Sequence, residues 1–249
     1  MKRISLYAAL LAAASFTGKA FAQEVQAGPQ WGLGIGAGVE RKVYRDIENE
    51  NRVLPVLFYE GRWVSVAGGR VDLKIPASSS LSFRLRARYS TDGYEAGDSP
   101  WLAGMAERKE GMWVGGAAVW QREGWNVSAE ATSATGDAEG KRFRLEGSRS
   151  FNSGKLRYTP RIAANWYDGD YVNYYYGVRA SEVRAGRALY TPGSGSSAEL
   201  GLRVAYALGA HHDVFLDLSA TRYSNAIKNS PLVDGATGSA VRLGYLYRF

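Results

Sequence analysis

Arg84, Arg86 and Arg88 stand at every second position of LSFRLRARY, a row of guanidinium groups that could hold an anion. Guanidinium stays protonated at any ordinary pH and presents a planar fork of donors that matches carboxylate or phosphate. The same spacing recurs in KRFRLEGS with Arg142 and Arg144, in KLRYTPRIAANW with Arg157 and Arg161, and in AELGLRVAYAL with Arg203. Arg242 and Arg248 continue it in the final segment, and Glu130, Glu146, Glu199 and Asp217 fall on the same side of their own alternating segments. Two roles suit such a face. It is either the basic wall of a small anion-preferring channel or a plug of long side chains that fill a narrow interior and pair there.

Other reactive residue types are sparse. The histidines are His211 and His212. Adjacent strand residues point to opposite faces, so these two are poorly placed to grip one metal ion, and neither a metal nor another cofactor is expected. Without cysteine there is neither thiolate chemistry nor a disulfide framework. No Gly-x-Ser-x-Gly elbow occurs, and WGLGIGAGVE, with Gly32, Gly34, Gly36 and Gly38, lacks the spacing of a phosphate-binding glycine loop. A catalytic role is therefore not expected. The remaining candidates are Tyr174, Tyr175 and Tyr176, inside the longest connection from Asp168 to Ser196. They could form a recognition or gating element or merely a packed lid, and Ser181 to Leu189 reads as a short helix capped by Ser181.

The elements that position these residues are strands. Residues 1–22 carry Lys2 and Arg3, an apolar stretch from Ile4 to Phe16 and the small-x-small site Ala20-Phe21-Ala22. That is the build of a secretory signal peptide, with the mature domain at 23–249. Its removal lowers the formal net charge from +7 to +4, so nucleic acid is not an expected partner. Beyond it no apolar run approaches the roughly 18 residues of a spanning helix. Instead about twelve segments, with ten to fourteen allowed, alternate apolar and polar residues. Short turns near 60–62, 76–80, 122–124, 151–154 and 209–212 alternate with long connections, one tight link near Gly68-Gly69 apart. Aromatic residues gather near segment ends at Tyr89, Trp120, Trp125, Trp166, Tyr223, Tyr247 and Phe249. The expected fold is all-β: an antiparallel transmembrane β-barrel in the outer membrane of a Gram-negative bacterium, with short periplasmic turns, long outer loops and interfacial aromatic girdles. The last segment, VRLGYLYRF, should pair with the first so that no edge is left in lipid.

Several stretches carry a family resemblance. RVLPVLFYEGRW at 52–63, NYYYGVRASEVRAGRALYTPG at 173–193, NSPLVDG at 229–235 and the terminal LGYLYRF resemble the MipA/OmpV family of outer-membrane proteins from about Trp31 to Phe249. The ending, Gly244, Tyr247 and Phe249, resembles the signal by which outer-membrane barrels are recognised by the barrel assembly machinery. The family resemblance implies a non-enzymatic outer-membrane barrel, a surface interaction protein or, as at least one member is regarded, a scaffold that brings a murein hydrolase, a lytic transglycosylase, together with a murein synthase. Other members are surface antigens or adhesins. Outer-membrane lipid is the remaining implied partner. No catalytic motif carries over.

Overall fold

The structure, a computed structural model, describes residues 28–47 and 49–249. The expected signal peptide lies outside the described residues. Thirteen strands run in chain order: β1 Gln30–Arg41, β2 Glu50–Glu60, β3 Val64–Ala67, β4 Arg70–Pro76, β5 Leu81–Ser90, β6 Gly111–Arg122, β7 Trp125–Thr135, β8 Lys141–Arg149, β9 Phe151–Ser153, β10 Leu156–Tyr167, β11 Gly195–Ala207, β12 His212–Tyr223 and β13 Thr237–Arg248. Consecutive strands pair antiparallel, except that β8 and β9 both pair with β10, and β13 returns to β1 in register from Gly32↔Arg248 to Arg41↔Ser239. The barrel is therefore closed.

β8 and β9 form one stave of a wall that is twelve staves round. Their interruption at Ser150 has a local cause. Pro160 of β10 lies opposite the break and has no N–H to donate to the ladder. Ser150 turns instead to Gly124, donating its N–H to that carbonyl at 2.8 Å, and its hydroxyl meets that of Thr159 at 3.1 Å.

Alternation then sorts the side chains. Leu33, Ile35, Val53, Leu85, Leu145, Ile162, Leu200 and Leu243 stand on the outer surface, largely exposed, while Arg84, Arg86, Glu130, Arg142, Arg203 and Asp217 are buried inside. A continuous apolar exterior of this size is unsuited to water and suited to lipid. Small residues on the inner face make room for large ones. A Cβ at Gly201 would lie 2.4 Å from the Arg161 guanidinium carbon, and one at Gly244 would lie 2.3 Å from the Phe215 ring.

The connections differ in kind at the two ends. At the end that holds both strand termini the turns are short: 61–63, 77–80, 123–124, 154–155 and 208–211. Phe151 to Ser153, expected in a turn, belong to the wall as β9. At the other end the long connections fold together into a cap. Helix α1, Gly169–Tyr176, is followed by a 3-10 turn at Ala180–Glu182, and helix α2, Asn225–Lys228, sits in the last long loop. The helix expected over Ser181 to Leu189 does not form. Asp168 accepts the N–H of Tyr171 and starts a helix earlier in the chain, while Gly186 (φ 79°) turns the later segment into an Arg184↔Arg187 bridge.

Leu200 lies near the middle of β11 with its side chain outward, so Leu200→Arg places a charge at mid-membrane. We expect it to destabilise the folded barrel by about 2–4 kcal/mol, measured as the urea unfolding midpoint of protein refolded in lipid bilayers.

Candidate functional site: the lumen network and the outer cap

Two carboxylates organise one half of the lumen. Asp72 of β4 is fully buried and accepts from Arg86 at 2.7 and 2.8 Å and from Arg84 at 3.1 Å, with Arg70 at 3.7 Å. Glu130 of β7 binds Arg86 on its other side and Arg88 at 3.3 Å. Cross-strand register brings these groups together, since Asp72 lies directly opposite Arg86 and Lys74 opposite Arg84.

The other half is a relay. Glu146 binds Arg144 at 2.6 Å; Arg144 binds Glu199 at 3.0 Å; Glu199 binds Arg161 at 3.1 Å; and Arg161 holds Asp217 through two bonds of 2.9 Å. Arg203 adds a 3.0 Å bond to Asp217, and its guanidinium lies 4.7 Å from the Phe215 ring centroid. Buried pairs of this kind hold a fold only when their hydrogen bonds are met, and removing one partner costs about 3–5 kcal/mol.

Not every donor is met. The Nε atoms of Arg84 and Arg88, and both Nε and Nη2 of Arg142, are buried without a hydrogen-bond partner. Arg142 lies 4.9 Å from the Trp113 ring centroid, with Asp92 3.8 Å from its Nη1. These arginines line a chamber of about 270 Å³ in the upper lumen. Below it, Val56, Phe58 and Leu246 form a small apolar cluster. A second cavity of about 170 Å³ opens under that cluster, lined by Arg157, Arg248 and Asp213. Of the expected lumen arginines, then, Arg84, Arg86, Arg88, Arg142, Arg144, Arg161 and Arg203 belong to the central assembly. Arg157 stands apart near the short-turn end, donating to Asn152 at 3.1 Å.

The cap closes the opposite end. Tyr174, Tyr175 and Tyr176 are buried within it, packed with Tyr44, Tyr94, Leu102, Met105, Trp113, Tyr171, Ile227 and Leu232. All three sit inside a folded core. Tyr174 accepts the N–H of Lys109 at its hydroxyl (3.0 Å), and the carbonyls of Tyr174, Tyr175 and Tyr176 accept from Arg108, Tyr44 and Ser230 at 2.6, 3.2 and 2.6 Å. Tyr223, expected in a girdle, packs against this core, with its ring centroid 6.4 Å from that of Tyr176. Burial raises the pKa of Tyr44, Tyr171 and Tyr176 well above the usual phenol value, so all three stay neutral.

Glu182 ties two of the cap loops together. It accepts two 2.9 Å bonds from the Arg108 guanidinium, one from Ala106 N–H at 3.1 Å and one from Arg179 N–H at 2.9 Å. Burial alone would raise its pKa; the two backbone donors and Arg108 outweigh burial and hold it below the ordinary glutamate value. Arg187 adds bonds to the carbonyls of Glu182, Trp101 and Ala103 at 2.9, 2.6 and 3.2 Å.

At the other end His211 Nδ1 lies 2.8 Å from the Arg248 carbonyl and His212 Nδ1 lies 2.7 Å from the Tyr245 hydroxyl. No cluster of metal-ligating side chains occurs among the described residues.

The profile of the family described as MltA-interacting protein MipA matches residues 33–249. The chain belongs to the MipA family. Among relatives, the MltA-interacting protein of Escherichia coli (strain K12) is 28% identical over 226 residues, covering 88% of this chain and 90% of that one. The putative outer membrane protein YiaT of the same strain is 22% identical, covering 87% and 90%. Outer membrane protein OmpV of Vibrio cholerae is 31% identical over 90 residues, covering 36% and 35%. Among solved structures the NanC porin is 7% identical with a TM-score of 0.45, covering 86% of this chain and 98% of that one. MipA-family membership and the lipid-suited exterior together make this an outer-membrane barrel of a Gram-negative bacterium.

Several residues of this site were not picked out from the sequence. Asp72 sits in RVDLKIP between Val71 and Leu73, so its inward direction follows from the same alternation that marks the arginines. Arg108, Glu182 and Arg187 lie in loops with no periodicity to expose them.

Because Glu182 has a lowered pKa, its contribution to the cap is complete above the ordinary glutamate value and is lost as the pH falls through the lowered one. Acidification should therefore release cap amides such as those of Ala106 and Arg179 to hydrogen exchange. Glu182→Gln should show that release at neutral pH, with the wall amides of β10 and β11 unchanged.

Proposed function

We propose that this protein is a non-enzymatic, non-conducting outer-membrane anchor that presents its short-turn rim to a murein-remodelling enzyme in the periplasm. One observation carries the reading: the outer mouth is filled by a packed aromatic core, with Tyr171, Tyr174, Tyr175 and Tyr176 at its centre, where a pore would need an opening. Arginines that a channel would keep solvated are instead largely engaged with Asp72, Glu130, Glu199 and Asp217. That favours the plug over the anion-preferring channel.

Relatives named for interaction with MltA support an enzyme of murein turnover as partner, joined in the scaffold reading by a murein synthase. The rim offers Arg62, Trp63, Lys155, His211 and His212, all exposed or partly so. Its turns are short, so a stable complex, which usually buries on the order of 1,200 Å² or more, needs the rim as a whole rather than one loop. Gly244, Tyr247 and Phe249 are assigned to recognition by the assembly machinery, and the apolar wall to contact with lipid.

The test is binding of a soluble lytic transglycosylase to the refolded barrel in lipid nanodiscs. Saturable binding is expected, weakened at least tenfold by combined Arg62→Glu, Lys155→Glu and His211→Ala substitution and untouched by Glu182→Gln in the cap. Absence of binding, or equal binding to the triple variant, would overturn the rim assignment.

A further inference from the structure

The outward rows of the wall end differently at the two membrane faces. On the side formed by β11, β12, β13, β1 and β2, alternation carries Ile35, Ala37 and Val39 on β1 up to Arg41, and Leu216, Leu218 and Ala220 on β12 up to Arg222. Both arginines are exposed, and both stand at the long-connection end. At the short-turn end the same side closes on rings instead: Trp31 on β1, Tyr59 on β2, Tyr206 on β11, and Tyr245 and Tyr247 on β13. An outward guanidinium is costly at the bilayer midplane and nearly free at its surface, so Arg41 and Arg222 mark the level where hydrocarbon gives way to headgroups.

Register fixes how the two arginines stand to each other. Arg41 lies opposite Ser239 and Arg222 opposite Thr237, so β13 alone separates them. Two strand spacings of about 4.8 Å and an offset of two residues put their Cα atoms roughly 12 Å apart. The outward side chains between them, Thr237, Ser239 and Ala220, are small and exposed. Beneath them the wall is apolar, with Val39, Val241 and Leu218 facing outward. The surface is thus a shallow saddle with a cation at either side, hydroxyls between and lipid-facing side chains below.

These cations differ from those of the lumen. Arg84, Arg86, Arg161 and Arg203 each meet Asp72, Glu130, Glu199 or Asp217. Among the described residues, neither Arg41 nor Arg222 has an ion-pair partner. Glu40, next to Arg41 in the chain, turns inward to Arg242 at 3.3 Å. Guanidinium offers a planar fork of donors that two phosphate oxygens match at once.

We propose that Arg41 and Arg222 bind an anionic lipid of the outer leaflet, its headgroup phosphate seated between them beside Ser239 and Thr237 and its acyl chains lying over Val241, Leu218 and Val39. Charge complementarity selects the phosphate. Continuity with the apolar wall selects a lipid over a free anion, and the long connections, which face outward in barrels of this kind, place the site in the outer leaflet. This reaches beyond the anchor role and does not depend on a periplasmic partner.

The test uses mature protein refolded into phosphatidylcholine nanodiscs doped with phosphatidic acid, a phosphate monoester lipid, that carries a diazirine at the glycerol end of one acyl chain. Adducts are mapped by mass spectrometry against phosphatidylcholine bearing the same diazirine. We expect phosphatidic acid to label Ser239, Ala220 and Val241 at least fivefold more than phosphatidylcholine does, and to keep that excess in inorganic phosphate. The excess should vanish in Arg41→Gln/Arg222→Gln and persist in Arg149→Gln, which alters an outward arginine at the short-turn end. Equal labelling by the two lipids, an excess just as large at Met112 on β6, or an excess unchanged in the double variant would overturn the site. Displacement by inorganic phosphate at concentrations equal to the probe would also overturn it, identifying a site for free anions. The wild-type map decides even if a variant fails to refold.

Discussion

Backbone N–H and C=O groups exposed to hydrocarbon cost several kcal/mol each, and the architecture follows from avoiding that cost. A sheet in lipid must close, so β13 returns to β1 over ten residue pairs. Closure makes alternation absolute: whatever does not face lipid faces the lumen. The arginines of β5, β8, β10 and β11 are therefore forced inward together, and a cluster of buried cations must bring its own carboxylates. Asp72, Glu130, Glu199 and Asp217 meet that need from neighbouring staves.

The same constraint gives meaning to the exception. Where β3 and β4 turn back at Gly68-Gly69, side-chain bonds join Arg52 and Tyr89 to Glu110. The cap above packs aromatic rings at the outer mouth, and Val56, Phe58 and Leu246 cluster in the lumen below. Polar chemistry is thus enclosed in a chamber lined by arginines and carboxylates.

Much of this was legible in the sequence because strand period two is an unambiguous signal when one face is apolar. LSFRLRARY, KRFRLEGS and VRLGYLYRF each announce both their geometry and their inward residues. The pairing of first and last strands followed from the cost of an open edge, and the count of about twelve from the segments that alternate apolar and polar residues. The cap was not legible in the same way. Its contacts join residues far apart in the chain, such as Arg108 with Glu182 and Tyr44 with Tyr175, and no local period marks them. The tyrosine run drew notice, but only tertiary packing shows that Asp168 starts its helix and that its rings face inward. Pro55 carried an unread clue: inside an otherwise regular strand it marked the unpaired edge.

Single-channel recording tests the closed lumen most directly. On the proposed plug reading, refolded mature protein in a planar bilayer should insert without discrete conductance steps at neutral pH. Regular anion-selective steps, diminished when Arg84, Arg86 and Arg88 are neutralised, would contradict this account and make the basic wall a selectivity element.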